Sequence, residues 1–147
     1  MSREKWIIVD VDGTLADTEH RVHFLHESPR NWEGWHGAAE DDKPIRATVD
    51  LVYTLQQCGY YIAIMTGRSN EFRKDTQEWL ADHGIYADCL CMRDVGDRRK
   101  DSVIKKEWFA DSYFADNIEF VLEDRTRVVE MWRSLGLTVF QVAEGNF

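Results

Sequence analysis

The sequence predicts a single α/β domain with one central sheet of about five mostly parallel strands and helices on both faces. Three observations carry that reading. The β-branched run Ile7-Ile8-Val9 is unbroken between a charged segment and Gly13, as a strand buried on both faces requires. Further apolar runs at 60–65, 87–92, 118–122 and 137–142 alternate with segments of helical spacing, the pattern of parallel strands joined by right-handed crossovers. Gly59, Gly84 and Gly136 stand where the intervening helices should stop.

The composition agrees. A chain of 147 residues, 44% hydrophobic and 31% charged, with 2 Pro and 9 Gly, is long enough for one packed domain and too short for a second. Its net charge of −9 and pI near 5.0 argue against broad binding to a nucleic-acid backbone, although a local basic cluster can still hold one phosphate-rich end. No stretch has the ~18 consecutive apolar residues of a membrane span, and Ser2-Arg3-Glu4-Lys5 leads into the first strand without a signal-peptide core. A cytoplasmic protein is expected. Cys58, Cys89 and Cys91 are an odd number, read as reduced thiols, and no zinc-ligand spacing accompanies them.

The first strand ends in Asp10-Val11-Asp12-Gly13-Thr14-Leu15. Carboxylates at i and i+2 of an extended chain project to the same side, so both can face one ligand outside the strand's carboxyl end. Hydrolysis of a phosphate ester needs a nucleophile on phosphorus and a proton for the alkoxide, and two such carboxylates can divide those tasks.

After Leu15, residues 16–26 read as a short helix or irregular turn with Val22, Leu25 and Phe24 inward. His20, His23 and His26 recur at every third residue and read as a solvated face. Arg21 is either a surface residue or a guanidinium that forks onto phosphate oxygens. Residues 28–37, with Pro29, Gly34 and Gly37, read as a loop or small lid, too short for a cap domain. Trp32 and Trp35 within it either anchor the loop or stack on a base. A helix over 47–58 presents Val49, Leu51, Val52 and Leu55, with Pro44 near its start.

The second strand, Tyr60 to Met65, ends in Thr66-Gly67-Arg68, repeating a hydroxyl and a glycine at a strand end. A helix over 70–82 follows, then the strand 87–92. The loop Arg93 to Lys100 is either solvated or a basic patch beside the strand ends. The helix beginning near Asp101 or Ser102 has Val103, Ile104, Trp108 and Phe109 on its apolar face and Lys105 in its first turns. Strand 118–122 ends in Glu123-Asp124, helix 125–134 carries Val128, Val129, Met131 and Trp132, and strand 137–142 closes the sheet.

The string Asp10-Val11-Asp12-Gly13-Thr14, with Thr66, Lys105 and Glu123-Asp124 following in order, resembles the four signatures of the haloacid dehalogenase superfamily of phosphotransferases. The resemblance implies a Rossmann-like domain with a minimal cap. It makes Asp10 the nucleophile, Asp12 the acid/base, Thr66 and Lys105 the groups that hold and neutralise the phosphoryl oxygens, and Asp10, Asp12 and Asp124 the ligands of a Mg²⁺ ion.

Arg99-Lys100-Asp101-Ser102-Val103-Ile104-Lys105, residues 123–133 and Gln141 to Phe147 look more closely like the 3′-phosphatase domain of phage-type polynucleotide kinase-phosphatase. That likeness spans nearly the whole chain. It implies that Arg21, Gly67 and Arg68 bind the substrate phosphate and that Asp101 orients basic groups. The implied substrates are 3′-phosphorylated DNA or RNA ends or nucleotides, with a kinase or ligase partner acting on the same ends. Glu123 departs from the family's usual pair of adjacent aspartates. No Gly-x-x-x-x-Gly-Lys-Ser/Thr is present, so the chain is read as a phosphatase without the kinase, free-standing or part of a longer protein. The alternatives are a small-molecule phosphatase or nucleotidase on the same fold and, from another class, a module that binds phosphorylated ends without turnover. Release of 3′-phosphate, 5′-phosphate and sugar phosphate, with and without Mg²⁺, separates the three.

Overall fold

A computed structural model describes residues 3–147. Five parallel strands form the central sheet: β1 (Trp6–Val9), β4 (Tyr61–Ser69), β5 (Cys89–Arg93), β6 (Ile118–Glu123) and β7 (Val139–Gln141), in the order β5-β4-β1-β6-β7. β2 (Ala16–Asp17) and β3 (Lys43–Pro44) make a separate antiparallel ribbon.

Helices cover both faces, which is why β1 is apolar at every position. Ile7 and Val9 pack with Val49 and Val52 of α2 (Arg46–Gln57) and with Trp79 and Leu80 of α3 (Arg73–Asp82). Trp6 and Ile8 point the other way, against Val128, Val129 and Trp132 of α5 (Thr126–Ser134), with Trp108 and Phe109 of α4 (Asp101–Asp111) at the margin. From β1 the chain runs outward to β4 and β5 with α2 and α3 on one face. It then crosses to β6 and β7 with α4 and α5 on the other. The reversal lies between β1 and β6, and the crevice beyond their carboxyl ends is where an open α/β sheet binds ligands. Among the described residues no helix is long and apolar enough to cross a membrane.

Several local expectations are corrected. The stretch read as a loop at 28–37 contains a helix, α1 (Trp32–Gly37), started by the Asn31 side chain, which accepts from the Gly34 N–H at 2.8 Å; Gly34 and Gly37 hide its period in the sequence. Pro44 lies two residues before α2, as expected, and there it also pairs with Ala16 in the β2–β3 ribbon. Leu51 and Val103 are exposed at 41% and 44%, since each stands on the outer side of a helix whose inner stripe is filled by its neighbours. The cap residue of α4 is Lys100. Residues Glu19–His26 form a 3₁₀ helix whose buried member is Arg21; Val22, Phe24 and Leu25 are only half-buried, because the charged pocket beneath, not the apolar core, faces this turn.

Candidate active site

Everything around the first motif follows from how β1 ends. Val11 accepts from the backbone N–H of Thr14, Leu15 and Ala16, folding the chain sharply just past Asp10. Gly13 takes φ +81°, and a Cβ there would lie 2.1 Å from Asp124 Oδ2, so both the turn and the close approach need glycine. The turn sets Asp10 beside the end of β6, whose last residue Glu123 and its successor Asp124 are also buried.

The Lys105 ammonium, buried in the first turns of α4, donates to Asp10 Oδ1 at 2.9 Å and to Glu123 Oε2 at 2.8 Å. The Thr14 hydroxyl reaches Asp124 Oδ1 at 3.3 Å and Asp10 Oδ2 at 3.5 Å. Oxygens of Asp10, Glu123 and Asp124 lie within 4.8 Å of one another. Such crowding of anions out of water is costly. Burial, followed by the charge of Glu123, pushes the Asp10 carboxyl up to about 7. Burial and then Asp10 push Asp124 to about 7, and burial also raises Glu123. Lys105 is raised despite its burial by the charges of Asp10 and Glu123 and stays protonated. Hard carboxylate oxygens with a hydroxyl beside them, short of one positive group, fit Mg²⁺.

Asp12 stands outside that cluster. Its carboxylate is held by Arg68, with Nη2 at 2.6 Å and Nε at 3.1 Å, and by Arg21 Nη2 at 2.7 Å. Burial would raise its pKa, but Arg68 and then Arg21 outweigh it and hold the carboxyl down at about 2. Behind the two arginines lies Asp42, its side chain fully buried, which accepts from Arg21 Nε at 2.8 Å and Nη2 at 2.7 Å, from Arg68 Nη2 at 3.2 Å, and contacts His20 Nε2 at 2.6 Å. Trp35 completes the collar: its carbonyl accepts from Arg21 Nη1 at 3.1 Å and its ring lies 4.0 Å from the guanidinium. The arrangement sets a buried carboxylate, a cluster of three carboxylates that could hold a cation and two fixed guanidinium groups at one sheet end, a combination compatible with phosphoryl transfer.

Residues 4–147 match the family model described as the polynucleotide kinase PNKP phosphatase domain. The chain belongs to this family. It is a haloacid dehalogenase-type phosphatase domain, and solved structures agree. A chain of the Pnkp1/Rnl/Hen1 complex is 36% identical with a TM-score of 0.84, the match covering 99% of this chain and 48% of that one. The present chain therefore spans about half the length of that relative. Two more distant structures share the fold. A haloacid dehalogenase-like hydrolase from Streptococcus pneumoniae is 14% identical with a TM-score of 0.66, covering 94% of this chain and 84% of its own. A class C acid phosphatase from Bacillus anthracis with tungstate bound is 13% identical with a TM-score of 0.65, covering 95% of this chain and 68% of its own.

The remaining expected residues of this PNKP-family domain fall around the same crevice. Thr66 is buried near the end of β4, and its hydroxyl accepts from the Arg68 N–H at 3.2 Å. Gly67 turns its carbonyl to Arg93 Nε at 2.9 Å, while a Cβ on it would meet only ordinary contacts at 3.5 Å. Asp101 pairs with Arg125 at 3.0 Å and Arg127 at 3.7 Å and lies apart from the carboxylate cluster.

Asp42 escaped sequence reasoning, and Glu123 and Gly145, both inside recognised motifs, were left without a settled role. Asp42 closes the acidic run Glu40-Asp41-Asp42, and nothing in its spacing separates it from a surface acid. Glu123 carries the bond to Lys105 that orients the ammonium, a role its longer side chain reaches without displacing Asp124. Gly145 is the third: its Cβ would fall 1.9 Å from the Asp124 carbonyl, so the C-terminal segment lies directly on the backbone of Asp124, joined there by Gln141 Nε2 at 3.0 Å. The motif Gln141 to Phe147 was the available signal.

Proposed function

We propose that the protein is a Mg²⁺-dependent phosphomonoesterase that removes 3′-terminal phosphates from nucleic acid ends or nucleoside 3′-phosphates through an aspartyl-phosphate. One observation supports this most: a buried carboxylate, Asp10, sits between a lysine-held cluster of carboxylates and two arginines already arranged as a fork. The 36% identity to the Pnkp1 complex chain, whose structure is described as an RNA repair complex, favours RNA or DNA ends over metabolites.

In this reading Asp10 attacks phosphorus, the bond from phosphorus to the 3′-oxygen breaks, and the leaving oxygen takes its proton from Asp12. Water then attacks the aspartyl-phosphate, gives its proton to Asp12 and releases inorganic phosphate, restoring Asp10. Asp10 and Asp124 would hold Mg²⁺, with Glu123 fixing Lys105 and Asp12 contributing no carboxylate oxygen in the conformation described. Bound there, the ion supplies positive charge to the phosphoryl oxygens and to Asp10. Lys105 and Thr66 would steady the same oxygens.

Arg21 and Arg68 would bind the incoming phosphate, which has a consequence for Asp12. A second anionic acceptor weakens both guanidinium contacts to that carboxylate and so lifts it from about 2 toward a range where it can carry a proton. Asp101 would keep Arg125 in place beside Asp124. The 147 residues would form one domain that works in the cytoplasm with a kinase or ligase acting on the same ends.

The test is phosphate release from oligonucleotide 3′-phosphate, oligonucleotide 5′-phosphate and sugar phosphates, with Mg²⁺ and with chelator. Metal-dependent preference for the 3′ end is expected. Preference for free 5′-nucleotides would replace the reading with a nucleotidase, and tight binding without turnover would replace it with an end-binding module.

A further inference from the structure

The two tryptophans of α1 have different positions. Trp35 is fixed on Arg21. Trp32 is 52% exposed and belongs to neither core cluster. It begins a ladder of rings. Trp32 and His36 have centroids 6.4 Å apart with planes at 28°, and His36 lies on Phe72 at 4.7 Å and 19°. Phe72 follows Arg68 by four residues, so the ladder runs from the exposed side of α1 to the end of β4 that carries Arg68. The imidazole feels Asp12, Arg21 and Arg68, and burial holds its pKa below the ordinary histidine value, leaving it neutral at pH 7. Its Nδ1 is sealed from solvent and, among the described residues, has no hydrogen-bond partner. Arg30, exposed, places its guanidinium 5.9 Å from the Trp32 ring and adds a positive charge there.

The charge of the whole chain narrows what this surface is for. At −9 the protein gains little from the backbone of a long polyanion, so most of its hold on a strand end beyond the phosphate itself should come from contacts that are not electrostatic. Base stacking on an aromatic face is such a contact, and it tolerates any sequence because every base has a π face. From the exposed ring, the rings stacked behind it and the contact of its helix neighbour Trp35 with Arg21, we infer that the Trp32–His36–Phe72 ladder is the platform for the terminal nucleoside. Its base stacks on Trp32, His36 and Phe72 back that ring from within, and Arg30 meets the next phosphate of the strand. The inference rests on the 3′-phosphatase reading.

The experiment compares a short oligonucleotide 3′-phosphate with the same strand carrying an abasic 3′-terminal residue. The proteins are wild type, Trp32→Ala, Trp32→Phe, His36→Ala and Tyr86→Ala, the last at an exposed aromatic outside the ladder. Wild type should show a KM about tenfold lower for the base-bearing end, a factor in the range of one base stack. Trp32→Ala should bring that KM ratio close to one with little change in kcat, Trp32→Phe should restore most of it, His36→Ala should lower it in part, and Tyr86→Ala should keep it. A wild type that treats both ends alike, or a Trp32→Ala that raises both KM values equally, overturns the inference. If the 3′-phosphatase reading itself fails, the platform is read separately. Binding of a nucleoside 3′-phosphate and of ribose 3-phosphate to Asp10→Asn, with and without Trp32→Ala, should differ only for the ligand that has a base; equal weakening of both refutes the platform.

Discussion

Asp42 is the residue on which the guanidinium pair depends, and Asp42→Asn isolates its charge at nearly constant volume. Arg21 has no solvent exposure, and three of its bonds to acids go to two residues: Nε and Nη2 to Asp42, and Nη2 to Asp12. Removing one partner of a buried ion pair usually costs ~3–5 kcal/mol, because the remaining charge is left without compensation. Here Asp12 still holds both arginines, so the lower end applies, roughly 3 kcal/mol. At this chain length each kcal/mol moves Tm by about 2–4 °C, giving a fall of roughly 6–12 °C. Thermal unfolding followed by circular dichroism measures it, with Asp41→Asn, an exposed neighbour, as the control expected to move Tm by no more than about 2 °C. The double variant Arg21→Gln with Asp42→Asn should lose less than the sum of the single losses, since the second change removes the charge the first one stranded. A Tm for Asp42→Asn within 2 °C of wild type, or strict additivity with Arg21→Gln, would refute the assignment of Asp42 as the counter-charge of the pair.

Three further outcomes are expected. Asp10 and Asp124 have folded pKa values near 7 against an ordinary 3.8, so the stability they contribute is complete below about 3.8 and is lost as pH rises through 7; a cation that needs both deprotonated should therefore raise Tm more at pH 8 than at pH 5.5, and an equal Mg²⁺ shift at both would count against the cluster as the metal site. Gly145→Ala should weaken Mg²⁺ binding at least tenfold in a calorimetric titration, because its methyl cannot coexist with the Asp124 carbonyl, whereas Gly37→Ala, where a Cβ meets nothing, should leave it unchanged. Asp10→Asn should abolish turnover and any covalent phosphoenzyme, while Asp12→Asn should slow alkyl phosphates far more than aryl phosphates, whose leaving groups need little protonation; wild-type rates in the first, or equal losses in the second, would remove those roles.

The strands and the residues at their ends were legible because chemistry and local pattern coincide there. An apolar run that must be buried on both faces, followed by two acids and a glycine, has few other solutions, and Thr66, Lys105 and Asp124 lie at or just after equally plain elements. Arg21 was ambiguous for the opposite reason. Its turn has no apolar period, and its burial depends on Asp42, twenty-one residues away, whose partners are set only when the β2–β3 ribbon closes the intervening segment. Gly145 was hidden similarly, since nothing in its neighbours announces that the tail will lie against the backbone after β6. What local sequence does not encode is contact across the insert and the terminus, where short irregular segments are placed by charge and close approach and not by periodicity.

The site separates into two charge groups, and the separation itself bears on mechanism. Asp12 and Asp42 against Arg21 and Arg68 balance without help. Three carboxylates, Asp10, Glu123 and Asp124, against Lys105 alone leave two negative charges, the amount one divalent cation compensates. The raised pKa values of Asp10 and Asp124 follow from that deficit and from burial, whereas the depressed pKa of Asp12 follows from the balance in the other group. A phosphate dianion entering between them disturbs the balanced group more, because it brings negative charge to arginines that have none to spare. Asp12 is the member with access to solvent, its side chain 27% exposed against none for Asp42, so under the proposed mechanism it is the carboxylate that would yield its place and take up a proton. Asp42 stays and keeps the guanidinium groups aimed. In the proposed reaction the same two arginines would thus hold Asp12 ionised in the free protein and release it as an acid only when a phosphate has arrived.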